Sequence, residues 1–200
     1  MVYFVRHGNK VVGDCDEYYN SELGIMDEPL SEAGRADAER LAAYFKGADI
    51  KRIIVSEYKR AYETALPTSK QKNIPITVDR RVNEINNGEI RNMTDDEIAA
   101  KYPQLWSDFQ SHARDFRFPG GESGEDAMAR QNSFLNDIKW EKDAIRGVSH
   151  DGFIRLLMCN ILGLPVYKRY IFKTTMGGVS IISYDGGRGE WKTVRFNQLV

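Results

Sequence analysis

The chain has 200 residues, of which 42% are hydrophobic, and its 28 Lys and Arg nearly balance its 29 Asp and Glu, giving a formal net charge of -1. This length and composition predict one compact domain with a sizeable core, and the balanced charge excludes a global field that would attract nucleic acid or an anionic membrane. No run of about 18 apolar residues is present to cross a membrane. Strand-like residues begin at Val2 and leave no room for a signal peptide, so we expect a cytoplasmic protein.

The cysteines and histidines argue against a metal site. Cys15 and Cys159 lie far apart and form no Cys-x-x-Cys pair, so we expect two free thiols in a reducing compartment. The three histidines, His7, His112 and His150, are too few for a histidine-rich metal site, and no His-Glu-x-x-His motif appears. We therefore predict no metal and no other cofactor.

Apolar runs typical of strands alternate along the chain with segments of helical periodicity. The first strand, over 2–5, delivers Arg6-His7-Gly8, and the polar segment over 9–30 is predicted as a loop. Further strands are predicted over 50–55, 74–78, 144–149, 170–174, 178–184 and 190–196, and helices over 31–46, 58–70, 95–102, 103–114, 123–140 and 153–162. This alternation predicts an α/β fold in which helices cover both faces of a sheet.

Polar, reactive side chains follow three of the predicted strands. Arg6-His7 ends the first strand, Ser56 ends the second with Arg60 one helical turn further on, and Ser149-His150 ends a third. Ligands of α/β sheets collect at the carboxyl ends of the strands. The sequence therefore predicts a functional site at this edge of the sheet.

The residue types at this edge suit phosphate chemistry. The guanidinium forks of Arg6 and Arg60 can each bind two oxygens of a phosphate dianion, and fixed cations can stabilise phosphoryl transfer in place of a metal. An imidazole such as His7 is a nucleophile when one ring nitrogen is free and the other is held as N–H. Gly8 lets the backbone approach closely at this turn, and His150 can add a further donor if it is protonated beside the phosphate. The leaving alkoxide needs a proton from a carboxylic acid near the pocket mouth.

Arg6-His7-Gly8 after an amino-terminal strand resembles the signature of the histidine phosphatase superfamily, which includes the cofactor-dependent phosphoglycerate mutases. Further blocks resemble that family in the same order: 29–35 (PLSEAGR), 56–65 (SEYKRAYETA), Glu84 with Gly88-Glu89 and Thr94 behind it, 119–123 (PGGES) and 148–155 (VSHDGFIR). Because the blocks span nearly the whole chain, the resemblance is specific.

The resemblance implies a role for each matched residue. His7 would be the phosphorylated nucleophile, Arg6, Arg60 and His150 would form the phosphate pocket, and Glu84 would donate the proton to the leaving group.

The resemblance also implies a fold, a three-layer α/β/α domain with a largely parallel central sheet, phosphoglycerate mutase-like. We expect it to occupy 1–200 as a single domain, with a cap-like variable segment around 84–122.

Two positions depart from the family pattern. Lys10 stands where the family often has a small hydroxyl residue, and Asp151 stands where it often has Gly. A His-Asp pair is a feature of the acid phosphatase and phytase branch, whose Asp is the proton donor, so Glu84 and Asp151 are both candidates. We favour Glu84, because its block matches better and the chain lacks the long insertions of that branch.

Four residues are predicted to bind substrate: Gly8, Asn9, Lys10 and Asp151. Lys10 is either a solvated loop cation or a point charge that binds a second anionic group of the substrate.

These observations predict a phosphatase that hydrolyses a small-molecule phosphate monoester through a phosphohistidine on His7. The alternative is a cofactor-dependent phosphoglycerate mutase, which must return the phosphoryl group to a bound product. The block after Glu84 lacks the long basic insertion typical of the mutases, which favours hydrolysis. A non-catalytic module that binds phosphorylated ligands is the third hypothesis, and the presence of every core catalytic residue argues against it. The sequence does not select one phosphate ester or an oligomeric state.

Overall fold

The computed structural model describes residues 1–12 and 17–200. Cys15, predicted as a free thiol, lies outside the described residues. The strands are β1 (Val2–Arg6), β2 (Tyr19–Asn20), β3 (Ile25–Met26), β4 (Ile50–Val55), β5 (Ile76–Val78), β6 (Ala144–Ser149), β7 (Val179–Asp185) and β8 (Glu190–Gln198). The α-helices are α1 (Glu32–Phe45), α2 (Lys59–Lys72), α3 (Asp95–Lys101), α4 (Pro103–Ser111), α5 (Gly124–Ile138) and α6 (Asp151–Leu162). Short 3-10 helices cover Arg80–Val82, Gly88–Asn92 and Val166–Ile171.

In the described part of the chain, six strands form one sheet in the order β5-β4-β6-β1-β7-β8. The pairs β5-β4, β4-β6 and β6-β1 are parallel, whereas β7 pairs antiparallel with both β1 and β8. The carboxyl ends of β4, β6 and β1 therefore meet at one edge, as the sequence predicts. At that edge the His7 amide donates to the Ser149 carbonyl at 3.0 Å.

Side chains that alternate along the central strands fill two cores, one on each face of the sheet. Phe4 packs against Phe134 of α5 and Phe153 of α6, with ring centroids 6.1 and 5.5 Å away. The next residue, Val5, joins a cluster with Leu41 and Phe45 of α1 on the opposite face. The three-layer α/β/α architecture with a largely parallel sheet is confirmed.

Side-chain caps start several helices where the sequence places them. Ser31 accepts a hydrogen bond from the Gly34 amide at the start of α1, and Ser123 forms a reciprocal capping box with Asp126 at the start of α5. These contacts satisfy amide groups that have no partner within the first turn of a helix.

Two sequence-based predictions of secondary structure are wrong. Residues 170–174 do not form a strand, because the 3-10 helix Val166–Ile171 follows Pro165 and buries Val166 and Arg169, whose three-residue spacing places them on one side of such a helix. The predicted loop over 9–30 contains the small antiparallel pair β2-β3. Strands of two residues carry no periodic signal that the sequence could reveal.

The segment over 84–122 carries α3 and α4 and contributes Ile85, Phe116 and Phe118 to a third apolar cluster, which includes the buried free cysteine Cys159 of α6. Its two ends are joined by backbone hydrogen bonds, from the Glu122 amide to the Asn86 carbonyl at 2.9 Å and from the Glu89 amide to the Pro119 carbonyl at 2.8 Å. None of the described helices is both long and apolar enough to cross a membrane.

Candidate active site

His7 is buried, with 5% of its surface exposed, directly after β1. Its Nδ1 lies 2.8 Å from the Gly8 carbonyl oxygen. Because a carbonyl only accepts, this contact assigns the proton to Nδ1 and leaves a lone pair on Nε2. Burial, reinforced by the neighbouring Arg60 cation, lowers the pKa of His7 to about 3. The imidazole is therefore neutral near pH 7, which is the state a nucleophile needs.

The turn after His7 is held by tight backbone contacts. The Gly8 amide donates to the Thr64 hydroxyl of α2 at 3.0 Å. A Cβ atom at Gly8 would lie 2.7 Å from the Gly34 carbonyl oxygen, so only glycine fits here. The Asn9 amide and side chain both donate to Asp37 of α1, at 3.2 and 2.8 Å. The structure thus uses polar groups of Gly8 and Asn9, both predicted to bind substrate, to fix the loop.

Arg60 lies in the first turn of α2 with its guanidinium against His7. Its Nε donates to His7 Nε2 at 3.3 Å, and its Nη1 donates to Glu28 and to the Met26 carbonyl, each at 3.1 Å. The guanidinium also stacks over the Tyr58 ring, 4.3 Å from its centroid. Residues far apart in sequence therefore hold this fork beside the nucleophile.

Lys10 also pairs with Glu28, so this carboxylate lies between the Lys10 ammonium and the Arg60 guanidinium. The structure brings Lys10 to the site, but as one partner of an ion pair. Sequence reasoning did not select Glu28, which no motif marks.

Arg6 and Asp151 belong to a second network. Arg6 Nη1 donates to the Thr174 carbonyl at 2.7 Å and lies 3.7 Å from the Asp151 carboxylate. Asp151 accepts from the Thr174 hydroxyl at 2.6 Å with one oxygen and from Arg155 at 2.8 Å with the other. Both oxygens of Asp151 thus serve as acceptors that hold cationic and hydroxyl groups around the pocket.

His150 is fully buried, and its ring centroid lies 5.0 Å from that of His7. Burial, with Arg60 nearby, holds the pKa of His150 well below its usual value, so this ring is also neutral. Its Nε2 lies 2.7 Å from the Ser56 hydroxyl, and its Nδ1 has no partner within the described residues. If Ser56 donates to Nε2, the proton is on Nδ1 and is available to an oxygen of a bound phosphate. Ser56, selected only as a polar strand end, is thereby the residue that orients His150.

Glu84 lies at the amino terminus of α6. Its Oε1 accepts from the amides of Ile85 at 2.8 Å and Phe153 at 3.0 Å, and its Oε2 accepts from the Gly152 amide at 3.1 Å. A Cβ at Gly152 would lie 2.6 Å from Oε1, so this glycine makes room for the carboxyl group. Burial raises the pKa of Glu84 despite these amide donors. A carboxyl group with a raised pKa is suited to deliver a proton.

Arg130 of α5 fixes the backbone of the segment that carries Glu84. It donates to the carbonyls of Arg81 and Asn83, each at 2.8 Å, and to the Glu84 carbonyl at 3.0 Å, while its Nε pairs with Glu122 at 2.8 Å. Sequence reasoning missed Arg130, because nothing in the helical pattern of α5 distinguishes it from a solvated arginine.

A cleft of about 500 Å³ borders the site at Arg60 and Glu84. Its walls include Lys10, Glu28, Tyr58, Arg60, Glu84 and Arg91. Within residues 1–12 and 17–200, no three His, Cys, Asp or Glu side chains form a group that could hold a metal ion.

A neutral imidazole beside a guanidinium fork, with a carboxyl group of raised pKa in the same cleft, equips an α/β sheet edge for phosphoryl transfer. Comparison with known proteins agrees with this class. The model of the histidine phosphatase superfamily (branch 1) matches residues 2–198, and the chain belongs to that superfamily.

Individual relatives cover most of the chain. It is 29% identical over 187 residues to phosphoserine phosphatase 1 of Hydrogenobacter thermophilus, covering 92% of this chain and 86% of that protein. It is 27% identical over 189 residues to the probable phosphoglycerate mutase GpmB of Cronobacter sakazakii, covering 92% and 85%. The solved structure of a mycobacterial glucosyl-3-phosphoglycerate phosphatase superposes with a TM-score of 0.82 at 23% identity, covering 99% of this chain and 98% of that one. The chain is a phosphatase, a phosphoric monoester hydrolase.

Proposed function

We propose that this phosphatase acts through a covalent phosphohistidine on His7. The observation that carries the proposal is the His7 ring, whose Nδ1 proton is held by Gly8 while Nε2 keeps its lone pair against Arg60. Nε2 attacks phosphorus, and the bond from phosphorus to the ester oxygen breaks. Water then attacks the phosphohistidine, inorganic phosphate leaves, and the electron pair returns to Nε2.

The oxygens of the phosphoryl group are bound by Arg6, Arg60 and the Nδ1–H of His150. As substrate enters, the Arg60 donor that faces His7 Nε2 in the free protein turns to a phosphoryl oxygen. Two guanidinium groups supply the positive charge that phosphoryl transfer requires, so we propose that no metal ion takes part.

Glu84 protonates the leaving oxygen, and its carboxylate then accepts a proton from the attacking water. Its raised pKa favours the first step, and its contact with the amino terminus of α6 stabilises the ionised form that the second step needs. Asp151 instead holds Arg6 and Arg155, because both its oxygens are occupied by donors.

For the substrate, we propose a phosphate ester whose alcohol carries a carboxylate. Arg91, in the 3-10 helix Gly88–Asn92, lines the cleft, and no carboxylate of a described residue lies within 4.0 Å of its guanidinium. Lys10, by contrast, is paired with Glu28, a carboxylate that Arg60 also contacts. The guanidinium of Arg91 donates to the Gly24 carbonyl and lies over the Tyr19 ring, which places it at the cleft wall. The segment over 84–122, which carries Arg91, then acts as a cap over the substrate. Phosphoserine, in the name of a relative, is a phosphate ester whose alcohol carries a carboxylate.

Phosphatase activity is distinguished from phosphoglycerate mutase activity by analysing the reaction products. Purified protein is incubated with O-phosphoserine, phenyl phosphate and 3-phosphoglycerate, with and without 2,3-bisphosphoglycerate. Phosphate release that does not depend on the bisphosphate supports the proposal. Conversion of 3-phosphoglycerate to 2-phosphoglycerate, faster than phosphate release and dependent on the bisphosphate, contradicts it. The cytoplasmic location stays a prediction from the sequence.

A further inference from the structure

Arg146, in the middle of β6, has the largest fully buried side chain among the described residues. Its guanidinium lies on the face of the sheet covered by α1 and α2, 4.9 Å from the centroid of the Phe45 ring. Nη2 donates to the Thr64 carbonyl at 3.2 Å, whereas Nε and Nη1 have no hydrogen-bond partner in the described part of the chain. No carboxylate of a described residue lies within 4.0 Å of it.

A buried guanidinium without a carboxylate partner, such as that of Arg146, weakens the folded state. Removing a charge from water is strongly unfavourable unless a partner compensates, and an apolar side chain of similar length would fill this position without that penalty. Burial also lowers the pKa of Arg146 to about 9. A destabilising group in a well-packed core points to a functional role, because strain of this kind persists where function needs it.

The hydrogen bond from the Arg146 side chain to Thr64 connects Arg146 to the nucleophile. Thr64, fully buried on α2, accepts from the Gly8 amide through its hydroxyl at 3.0 Å and donates from the same hydroxyl to the Arg60 carbonyl at 2.7 Å. The Gly8 carbonyl in turn holds His7 Nδ1 at 2.8 Å. One threonine thus joins the His7 turn to the helical turn that carries Arg60, and Arg146 holds the backbone of that threonine.

The charge of Arg146 is buried below the sheet edge that carries the site. Arg146 precedes Ser149 by three residues, about 10 Å along β6 at ~3.3 Å per residue, and its side chain is fully buried. Arg6 and Arg60 are the cations proposed to bind the phosphate, and the neutral rings of His7 and His150 add no further positive charge. A further positive charge at this distance in a medium of low effective dielectric constant should change anion affinity by about tenfold.

We propose that Arg146 is a positioning residue of the phosphoryl-transfer site: its buried cation fixes Thr64, and through it Gly8 and His7, and places positive charge beneath the phosphate pocket. This inference rests on the proposed role of His7.

The first test removes the charge and measures stability and anion binding separately. In Arg146→Met, the melting temperature should stay the same or rise, while the dissociation constant of inorganic phosphate, measured by calorimetry, should increase about tenfold. Arg146→Lys, which keeps the charge, should recover most of the affinity. Arg169→Met is the matched stability control, because Arg169 is a similarly buried arginine that pairs with Asp115, and its loss should lower the melting temperature.

A lower melting temperature or failure to fold in Arg146→Met would show that the charge serves stability, and would overturn the proposal. Unchanged phosphate affinity in a folded Arg146→Met would also overturn it. Because phosphate binding is measured without turnover, these results are independent of whether His7 becomes phosphorylated.

The second test addresses the route through Thr64. Thr64→Val leaves the Gly8 amide without its acceptor and should lower kcat about tenfold, whereas Thr64→Ser keeps the hydroxyl and should retain most of the activity. Equal kcat values in Thr64→Val and the unmodified protein would contradict this route.

Discussion

Replacing His7 by Gln is expected to change how the stability of the protein depends on pH, because the folded state holds this imidazole neutral. The pKa of His7 is about 3 in the folded protein against 6.5 for an exposed histidine. Between these values the unfolded chain binds a proton that the folded chain does not bind. The stability contributed by this difference is fully present above pH 6.5 and is lost as the pH falls toward 3.

The size of the effect follows from the shift. Each pH unit below 6.5 costs about 1.4 kcal/mol of unfolding free energy for one such group. At pH 5 the loss attributable to His7 is therefore about 2 kcal/mol. His150, whose pKa is lowered in the same direction, contributes to the unmodified protein and the variant alike, so it cancels in the comparison.

Urea unfolding at pH 7.5 and pH 5.0 measures this difference. The unmodified protein should lose about 2 kcal/mol more unfolding free energy between the two pH values than His7→Gln does. Equal losses would mean that His7 is protonated in the folded protein at pH 5. That result would refute the argument that burial and Arg60 keep its Nε2 lone pair free.

Three further outcomes are expected. Glu84→Gln should slow hydrolysis of alkyl phosphates about 100-fold or more but that of aryl phosphates less than about tenfold, because a good leaving group barely needs the proton; Asp151→Asn should show no such selectivity, and the reverse ranking would assign the donor to Asp151. Arg91→Met should raise KM for O-phosphoserine about 5- to 30-fold and leave phosphoethanolamine, which lacks the carboxylate, nearly unchanged. Equal effects on both substrates would contradict carboxylate binding by Arg91, and Lys10→Met tests whether Lys10 binds it instead. Activity should survive EDTA, and a loss restored only by a divalent cation would contradict the metal-independent mechanism.

The fold was largely predictable because the sequence carries strong periodic signals where the layers pack. Phe4 and Val5 alternate across the sheet, and the caps at Ser31 and Ser123 mark the starts of helices. The prediction failed at 170–174, where tertiary burial of Arg169 selects a 3-10 helix over an extended strand.

The site was predictable in its residues but not in its connections. Sequence motifs selected His7, Arg60, His150 and Glu84. The structure places His7 against Arg60 and His150, and places Arg60 and Glu84 in the wall of one cleft; their catalytic roles stay predictions. The supporting contacts could not be derived from the sequence, since they join distant residues: Ser56 and His150 are 94 positions apart, and Thr64 and Arg146 are 82 apart. No local sequence pattern marks a buried polar residue such as Arg146, because the role proposed for it depends on a partner that only the fold supplies.

The residues that contact Glu84 and Asp151 also explain why these two candidate proton donors differ. Glu84 and Asp151 both lie near the amino terminus of α6, but Glu84 accepts mainly from backbone amides. Burial raises the pKa of Glu84. The side chains of Arg155 and Thr174 occupy Asp151. Two carboxyl groups in similar positions are thus given different tasks by their neighbours.

The most direct test of the central claim is rapid-quench trapping of the phosphoenzyme with ³²P-labelled O-phosphoserine or phenyl phosphate. We expect label on the protein that is stable in base and labile in acid, as a phosphohistidine is, and peptide mapping that places it on His7. His7→Gln should carry no label and should release no phosphate. Label on another residue, or turnover by His7→Gln at the rate of the unmodified protein, would contradict a phosphohistidine mechanism.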